Sequence, residues 1–258
     1  MKSAVLGALL LIYGSQASAV FVSATWEPPG NEPLQSFARL LTIARGFGDE
    51  QTLRPLPLPY TGNMTASASR AGDASYAYAA ATYNLGADFL QVDVTRLDRN
   101  APSSAISNGA WVFSVTETVR TTAAGMLVAQ ASGSSNEHSF EAYFTDLTTG
   151  ARLFKSVQAD SGNGVTYELG GLVGNRAATF EGSLENILTP GHVYGLTYLL
   201  GVSNSEAASD SSQATGRISL SAAAVPEPGT YALFSFGILA VVIASRKLRA
   251  RKASLSTH

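Results

Sequence analysis

From Tyr76 onward, apolar and polar residues alternate with a period of two, in short runs separated by turn residues. Leu90, Val92 and Val94 alternate with Gln91, Asp93 and Thr95. Trp111, Phe113 and Val115 alternate with Val112, Ser114 and Thr116, and Phe140, Ala142 and Phe144 with Ser139, Glu141 and Thr145. Val165, Tyr167 and Leu169 flank Thr166 and Glu168, and Ile218 and Leu220 alternate with Arg217, Ser219 and Ser221. Tyr194, Leu196, Tyr198, Leu200 and Val202 form the longest apolar face. Its opposite face carries Val193, Thr197 and Leu199, which predicts a central strand covered on both sides. β-branched and aromatic residues dominate these runs, as half-buried strands require. Thr148-Thr149-Gly150, Asp160 to Gly164 and Pro190-Gly191 supply turn chemistry between them. About nine or ten short strands without long intervening helices predict an antiparallel β-sandwich of jelly-roll type over residues 76–222. Ser203 to Ala214 reads as a polar loop, and no internal repeat points to a solenoid or propeller.

Residues 20–75 follow another pattern. Leu34, Phe37, Leu41 and Ala44 share one helical face, Pro33 can open that helix and Gly46 can end it. The spacing therefore predicts one short helix. Arg54 to Tyr60 (RPLPLPY) reads as a stiff, extended connector. Upstream, Lys2, the apolar run Ala4 to Tyr13 and the small residues Ala17-Ser18-Ala19 predict a signal peptide over 1–19. Signal peptidase would read Ala17 and Ala19 and cut after Ala19. The run is too short for a permanent anchor.

At the other end, Tyr231 to Ser245 carries no charge, and Arg246, Lys247, Arg249, Arg251 and Lys252 follow at once. A helix of that length covers ~22 Å, against a hydrocarbon core of about 30 Å, so length alone leaves a buried soluble helix open. The closely spaced cations favour a transmembrane helix over 230–245, because their long stems snorkel to the headgroups. Positive-inside bias then puts the tail in the cytoplasm and the body outside. Just before the helix, Val225-Pro226-Glu227-Pro228-Gly229 should be an extended, exposed strip, because each proline biases its predecessor away from helix. Such a strip suits a protease or transpeptidase cleft, and it equally suits a plain spacer.

Strip, apolar segment and basic terminus together resemble the tripartite sorting signal of PEP-CTERM proteins, over about residues 225–252. The resemblance implies an exosortase, a membrane-embedded cysteine transpeptidase-like enzyme, as the processing partner. It also implies a bacterial producer of exopolysaccharide or biofilm. On this reading the chain is a single-pass inner-membrane intermediate that is then delivered to the cell surface or extracellular matrix.

Charge and chemistry narrow the body. Between residues 20 and 224 there are 11 basic and 18 acidic residues, so the near-neutral whole chain hides an acidic body and a basic tail. An acidic body argues against nucleic acid as a partner. Cysteine is absent, which excludes disulfides and thiol chemistry. His138 and His192 lack metal-ligand spacing, and no G-x-S-x-G elbow occurs. Ser134, Glu137 and His138 can be drawn as a triad, yet such close neighbours rarely reach triad geometry. Glu117, Glu141, Glu168 and Glu181 sit at polar or face-end positions, where solvent-facing carboxylates are expected rather than a hydrolytic pair. The Asp160 to Gly164 turn has Gly where calcium ligands would be needed. No catalytic residue, metal site or cofactor is therefore expected. Tyr143 is the best candidate for an exposed ring that could stack on a sugar. The sequence thus reads as an exported, non-catalytic envelope or matrix protein. A carbohydrate-binding module is the alternative, and a glycoside hydrolase ranks below both.

Overall fold

The computed structural model describes residues 21–27, 33–44, 47–56, 60–69, 76–85, 89–99, 102–131, 136–160, 165–170, 177–205 and 211–225. The predicted signal peptide, Pro226 to Gly229, the predicted transmembrane helix and the basic cluster all lie outside these residues. The chain divides into two units, residues 1–223 and 224–258. No helix among the described residues is long and apolar enough to cross a membrane.

The first unit is built from strands. In chain order they are β1 (Phe21–Ser23), β2 (Phe37–Ala44), β3 (Phe47–Leu53), β4 (Tyr60–Ser69), β5 (Tyr76–Leu85), β6 (Phe89–Arg99), β7 (Ser103–Val115) and β8 (Val119–Ala131). There follow β9 (Asn136–Asp146), β10 (Arg152–Asp160), β11 (Val165–Glu168), β12 (Ala177–Gly182), β13 (Glu185–Leu188), β14 (Val193–Asn204) and β15 (Ser211–Ala224). The first sheet runs β12-β10-β9-β14-β7-β2-β3, with β1 also on β7; the second runs β11-β8-β15-β6-β5-β4, with β13 also on β8. The registered pairs are antiparallel. The two sheets form a β-sandwich, as the period-two pattern predicts. From β7 onward the chain crosses repeatedly between the sheets.

Alternation sorts the side chains. Phe113, Phe140, Phe144, Phe154, Leu196 and Leu200 from the first sheet meet Leu90, Val92, Val94, Leu127, Ile218 and Leu220 from the second. Each fully buried side chain of this kind stabilises the fold by ~1.5–3 kcal/mol. β14 is central and paired on both sides, by β9 and β7, as its two apolar faces predict. One end of the core is aromatic: Phe113 stacks on Phe144 at 6.1 Å, and Phe144 lies 5.6 Å from Phe154. Elsewhere small residues meet, with Ala44, Ala68 and Ala77 forming a separate buried cluster.

The segment 20–75 departs from expectation. The predicted short helix over Leu34 to Gly46 is instead strand β2, with Ala38, Leu40, Thr42 and Ala44 inward. Both periodicities fit this stretch. Pairing decides, because β2 hydrogen-bonds to β7 along one side and β3 along the other. A helix would leave both neighbours' backbone groups unmatched. β4 likewise belongs to the second sheet, so these residues are built into the sandwich rather than standing before it. The Pro-rich connector crosses from β3 in the first sheet to β4 in the second. Its Leu56 is buried and donates its N–H to the Ser36 carbonyl at 2.8 Å. The predicted loop Ser203 to Ala214 is shortened from both ends, by β14 and β15.

Candidate functional site

β15 ends at Ala224 and Val225 follows, half-buried. Pro226 is the next residue in the chain. Of the strip residues singled out by sequence, only Val225 lies among those described. Ala17 and Ala19, with the five tail cations, lie outside them.

Within the body, polar side chains gather in three places. The first ties two turns together. His192 Nδ1 lies 2.8 Å from Asp146 Oδ2. Asp146 Oδ1 accepts the N–H groups of Thr148 at 3.0 Å and Thr149 at 3.2 Å, an Asx turn after β9. Thr148 Oγ1 accepts the Val193 N–H at 2.9 Å, and the Tyr194 hydroxyl accepts the Thr189 N–H at 2.7 Å. Burial works to raise the Asp146 carboxyl, but the His192 and Thr149 hydrogen bonds outweigh it and hold the group below the usual carboxylate range. Gly150 and Gly191 supply the left-handed turns, at φ 74° and 84°. The turn Thr148-Thr149-Gly150 was legible in sequence, though not its Asp146 cap. The partner of that cap was not legible either, because His192 lies 46 residues away.

The second group lies inside the sandwich. Tyr83 on β5 reaches across the core to Ser107 Oγ at 2.9 Å and to the Arg39 carbonyl at 3.3 Å. Ser107 Oγ also lies 3.4 Å from the Tyr198 hydroxyl. Burial pushes the Tyr83 phenol up to about 12 and drives Tyr198 well above its ordinary value. Farther along, Arg96 is fully buried and donates to Ser212 Oγ at 3.0 Å and Ser103 Oγ at 2.8 Å. Tyr83–Ser107 and Arg96–Ser103 join strands of different sheets, whereas Arg96–Ser212 and Ser107–Tyr198 join neighbouring strands of one sheet.

The third group surrounds Tyr143, half-buried on the outer face of β9. Its hydroxyl donates to Glu141, which holds the phenol above its ordinary value, and burial adds to the effect. The Arg152 guanidinium stands 5.1 Å over its ring. A sugar would compete with that guanidinium for the same ring face. An open groove of about 520 Å³ lies on the second sheet between β11 and β13, lined by Ala124, Met126, Glu168, Leu184, Arg217 and Ser219 among others.

The other sequence candidates do not converge. Ser134 lies outside the described residues, while Glu137 and His138 are adjacent on β9 and point to opposite faces, Glu137 exposed and His138 buried, so these two do not meet as the drawn triad needs. Glu117 lies in the bend after β7, while Glu141, Glu168 and Glu181 sit on three different strands. Among the described residues no three His, Cys, Asp or Glu side chains are grouped to hold a metal ion.

The comparisons with known proteins bear on the tail. The family described as PEP-CTERM protein-sorting motif matches residues 224–249. No curated protein matches the chain. Among solved structures, the infectious bursal disease virus VP2 subviral particle is similar at a TM-score of 0.20 and 9% identity, over 89% of this chain and 72% of that one. A structure of the Gx strain of that virus follows at 0.16 and 12%, over 85% and 70%. Likeness at that level carries no argument about fold or function.

Proposed function

We propose that this chain is an exported sandwich protein, delivered to the cell surface by exosortase processing at its PEP-CTERM motif and working there as a non-catalytic structural or adhesive component of the envelope or exopolysaccharide matrix. The match at residues 224–249 carries the sorting half of this reading. The N-terminal signal sequence agrees with it, since signal peptidase at one end and exosortase at the other give one route out of the cell. The non-catalytic half is supported by where the polar groups go. Asp146–His192, Tyr83–Ser107 and Arg96–Ser212 join turns and strands of the sandwich itself. Repeated crossing between the sheets suits a jelly-roll-like body, a shape that withstands an extracellular setting without disulfides.

The test is membrane fractionation of a C-terminally tagged protein in wild-type and exosortase-deficient hosts, alongside Glu227→Ala. Wild type should lose the tag and reach the surface or matrix. Both the variant and the deficient host should retain tagged protein in the inner membrane. A wild type that keeps its tag everywhere, with Glu227→Ala distributed identically, would make the strip a spacer and the protein a permanent membrane protein.

A second reading, a carbohydrate-binding module, is favoured by one observation. The groove between β11 and β13 is lined by Arg217, Glu168 and Ser219 together with Ala124, Met126 and Leu184. Polar and apolar side chains in one groove are what a pyranose ring needs. Titration of the purified body with soluble polysaccharide fragments separates the two readings.

A further inference from the structure

Resting on the matrix-component reading above, we infer that the outer face of β4, β5, β6 and β15 docks an uncharged, extended polysaccharide whose chain lies across the strands. β4 and β5, 10 residues each, contain no charged residue. Soluble surfaces ordinarily carry charge at about a quarter to a third of their positions. The first sheet carries such charge, with the ion pairs Arg39–Glu50 at 2.6 Å and Lys155–Glu181 at 3.8 Å. Charge is thus withheld from one side of a body in which acidic residues outnumber basic ones. A polyanion would be repelled by that body, and a neutral polymer would not.

Register turns this face into a lattice. Thr61, Asn84, Gln91 and Arg217 are cross-strand partners in one row, and Asn63, Thr82, Asp93 and Thr215 in the next. These side chains are exposed or half-buried. Neighbours in a row stand ~4.8 Å apart, close to the length of one pyranose unit, so a chain laid along a row brings one sugar to each strand. Hydroxyls and amides both donate and accept, as sugar hydroxyls do. Hydrogen bonds within the face hold them in place. Thr61 Oγ1 donates to Asn84 Oδ1 at 3.5 Å, and Asp93 accepts from Thr215 Oγ1 and from Gln91 Nε2. Threonine is also stiff at χ1, so ordering these short side chains costs less than ordering lysines or glutamates. Strand addition at the rim is opposed, because Asp49 and Gln51 accept the Ser67 and Thr65 N–H groups. The face is therefore offered to a ligand, and the edge is not.

The experiment titrates the full-length chain, purified in detergent, with linear neutral glucan oligosaccharides of increasing length in a calorimeter. Polygalacturonate fragments serve as the charged comparison. Binding should strengthen up to about four sugars, one for each strand of a row, and then level off. Asn63→Ala/Thr82→Ala should weaken it by ~10-fold while the melting temperature stays close to that of wild type. Thr82→Ser, which keeps the hydroxyl, should bind as wild type does. Undiminished binding by the Asn63/Thr82 variant, tighter binding of polygalacturonate than of glucan, or no binding of either would overturn the proposal. Glucan binding that Glu168→Gln weakens and the Asn63/Thr82 variant does not would lie in the groove, overturning the face and keeping the carbohydrate-module reading. If sedimentation velocity shows that the Asn63/Thr82 variant turns a dimer into a monomer, the face belongs to a second copy and the proposal fails. Sorting is untouched by any of these outcomes, because tag loss reads it separately.

Discussion

Asp49 on β3 accepts the backbone N–H of Ser67 on β4 at 2.9 Å, across the side of the sandwich where the two sheets end. Two residues on, Gln51 Oε1 accepts the Thr65 N–H at 3.3 Å. β3 is the last strand of the first sheet and β4 the last of the second. Two side chains thus cap donors on an edge strand, and those donors would otherwise offer a template for another chain. Alanines at 44, 68 and 77 fill the nearby interior and let the two edges approach.

The caps should therefore guard against association more than they add stability. Asp49→Ala/Gln51→Ala should lower unfolding free energy by only ~1 kcal/mol, because both caps are exposed. The same variant should self-associate at concentrations where wild type stays monomeric. Sedimentation velocity across a concentration series checks this, and a strictly monomeric double variant would remove the guarding role.

Asp146 predicts an acid-sensitive corner. Its carboxyl is held below its usual value, so the unfolded chain binds that proton first as pH falls. The stabilisation is then fully present above the ordinary carboxylate value and is lost as pH drops through the lowered one. Asp146→Asn keeps an acceptor but not the charge. It should be less stable than wild type by ~1–2 kcal/mol at pH 6, with the gap closing towards pH 2. Urea titrations at several pH values read the difference directly. A gap that does not vary with pH would show that the charge of Asp146 contributes nothing.

Tyr83 makes the complementary prediction on the alkaline side. The folded protein holds its phenol protonated up to about 12, while the unfolded chain ionises near 10. Its contribution is intact below that unfolded value and is lost as pH rises through the window. Tyr83→Phe should cost ~1 kcal/mol at neutral pH by leaving Ser107 with one partner fewer. It should also flatten the alkaline limb of the stability profile, as denaturant midpoints between pH 9 and 12 would show.

The sandwich was legible wherever one strand face was large and apolar, as along Trp111-Phe113-Val115 or Tyr194 to Val202. It was not legible where the inward face is small. Ala66 and Ala68 on β4 are buried, yet alanine alternating with Thr65, Ser67 and Ser69 carries almost no period-two contrast. β3, with Phe47 and the polar Asp49, Glu50, Gln51 and Thr52 exposed, gives no inward signal, because edge position rather than burial makes it a strand. β2 presented both periods at once, and only its neighbours resolve them. In the tail the reverse holds: the sorting motif is a linear pattern, and proline and charge spacing reveal it without any fold. What sequence could not show was that β15 runs on to Ala224, two residues past the expected end of the sandwich at 222.

The last prediction joins the N-terminal cut to the core. β1 pairs Phe21 with Val115 and Ser23 with Phe113. The Phe21 ring packs edge-on against Trp111 at 5.6 Å and Phe113 at 5.1 Å. Cleavage after Ala19 would make Val20 the first residue and leave this plug one position from the new terminus. The prediction is that any cut falls before Phe21, since a cut two residues later would remove a ring that packs on Trp111 and Phe113. N-terminal sequencing of the exported protein should give Val20. Phe21→Ala, placed in the mature chain so that cleavage is not disturbed, should lower stability by ~2–3 kcal/mol, less than for a fully buried Phe because the ring stays partly exposed. Trp111 fluorescence should shift to the red in that variant as water reaches the indole. A mature terminus downstream of Phe21 with unchanged stability would show that β1 is dispensable, and the sandwich would then begin at β2.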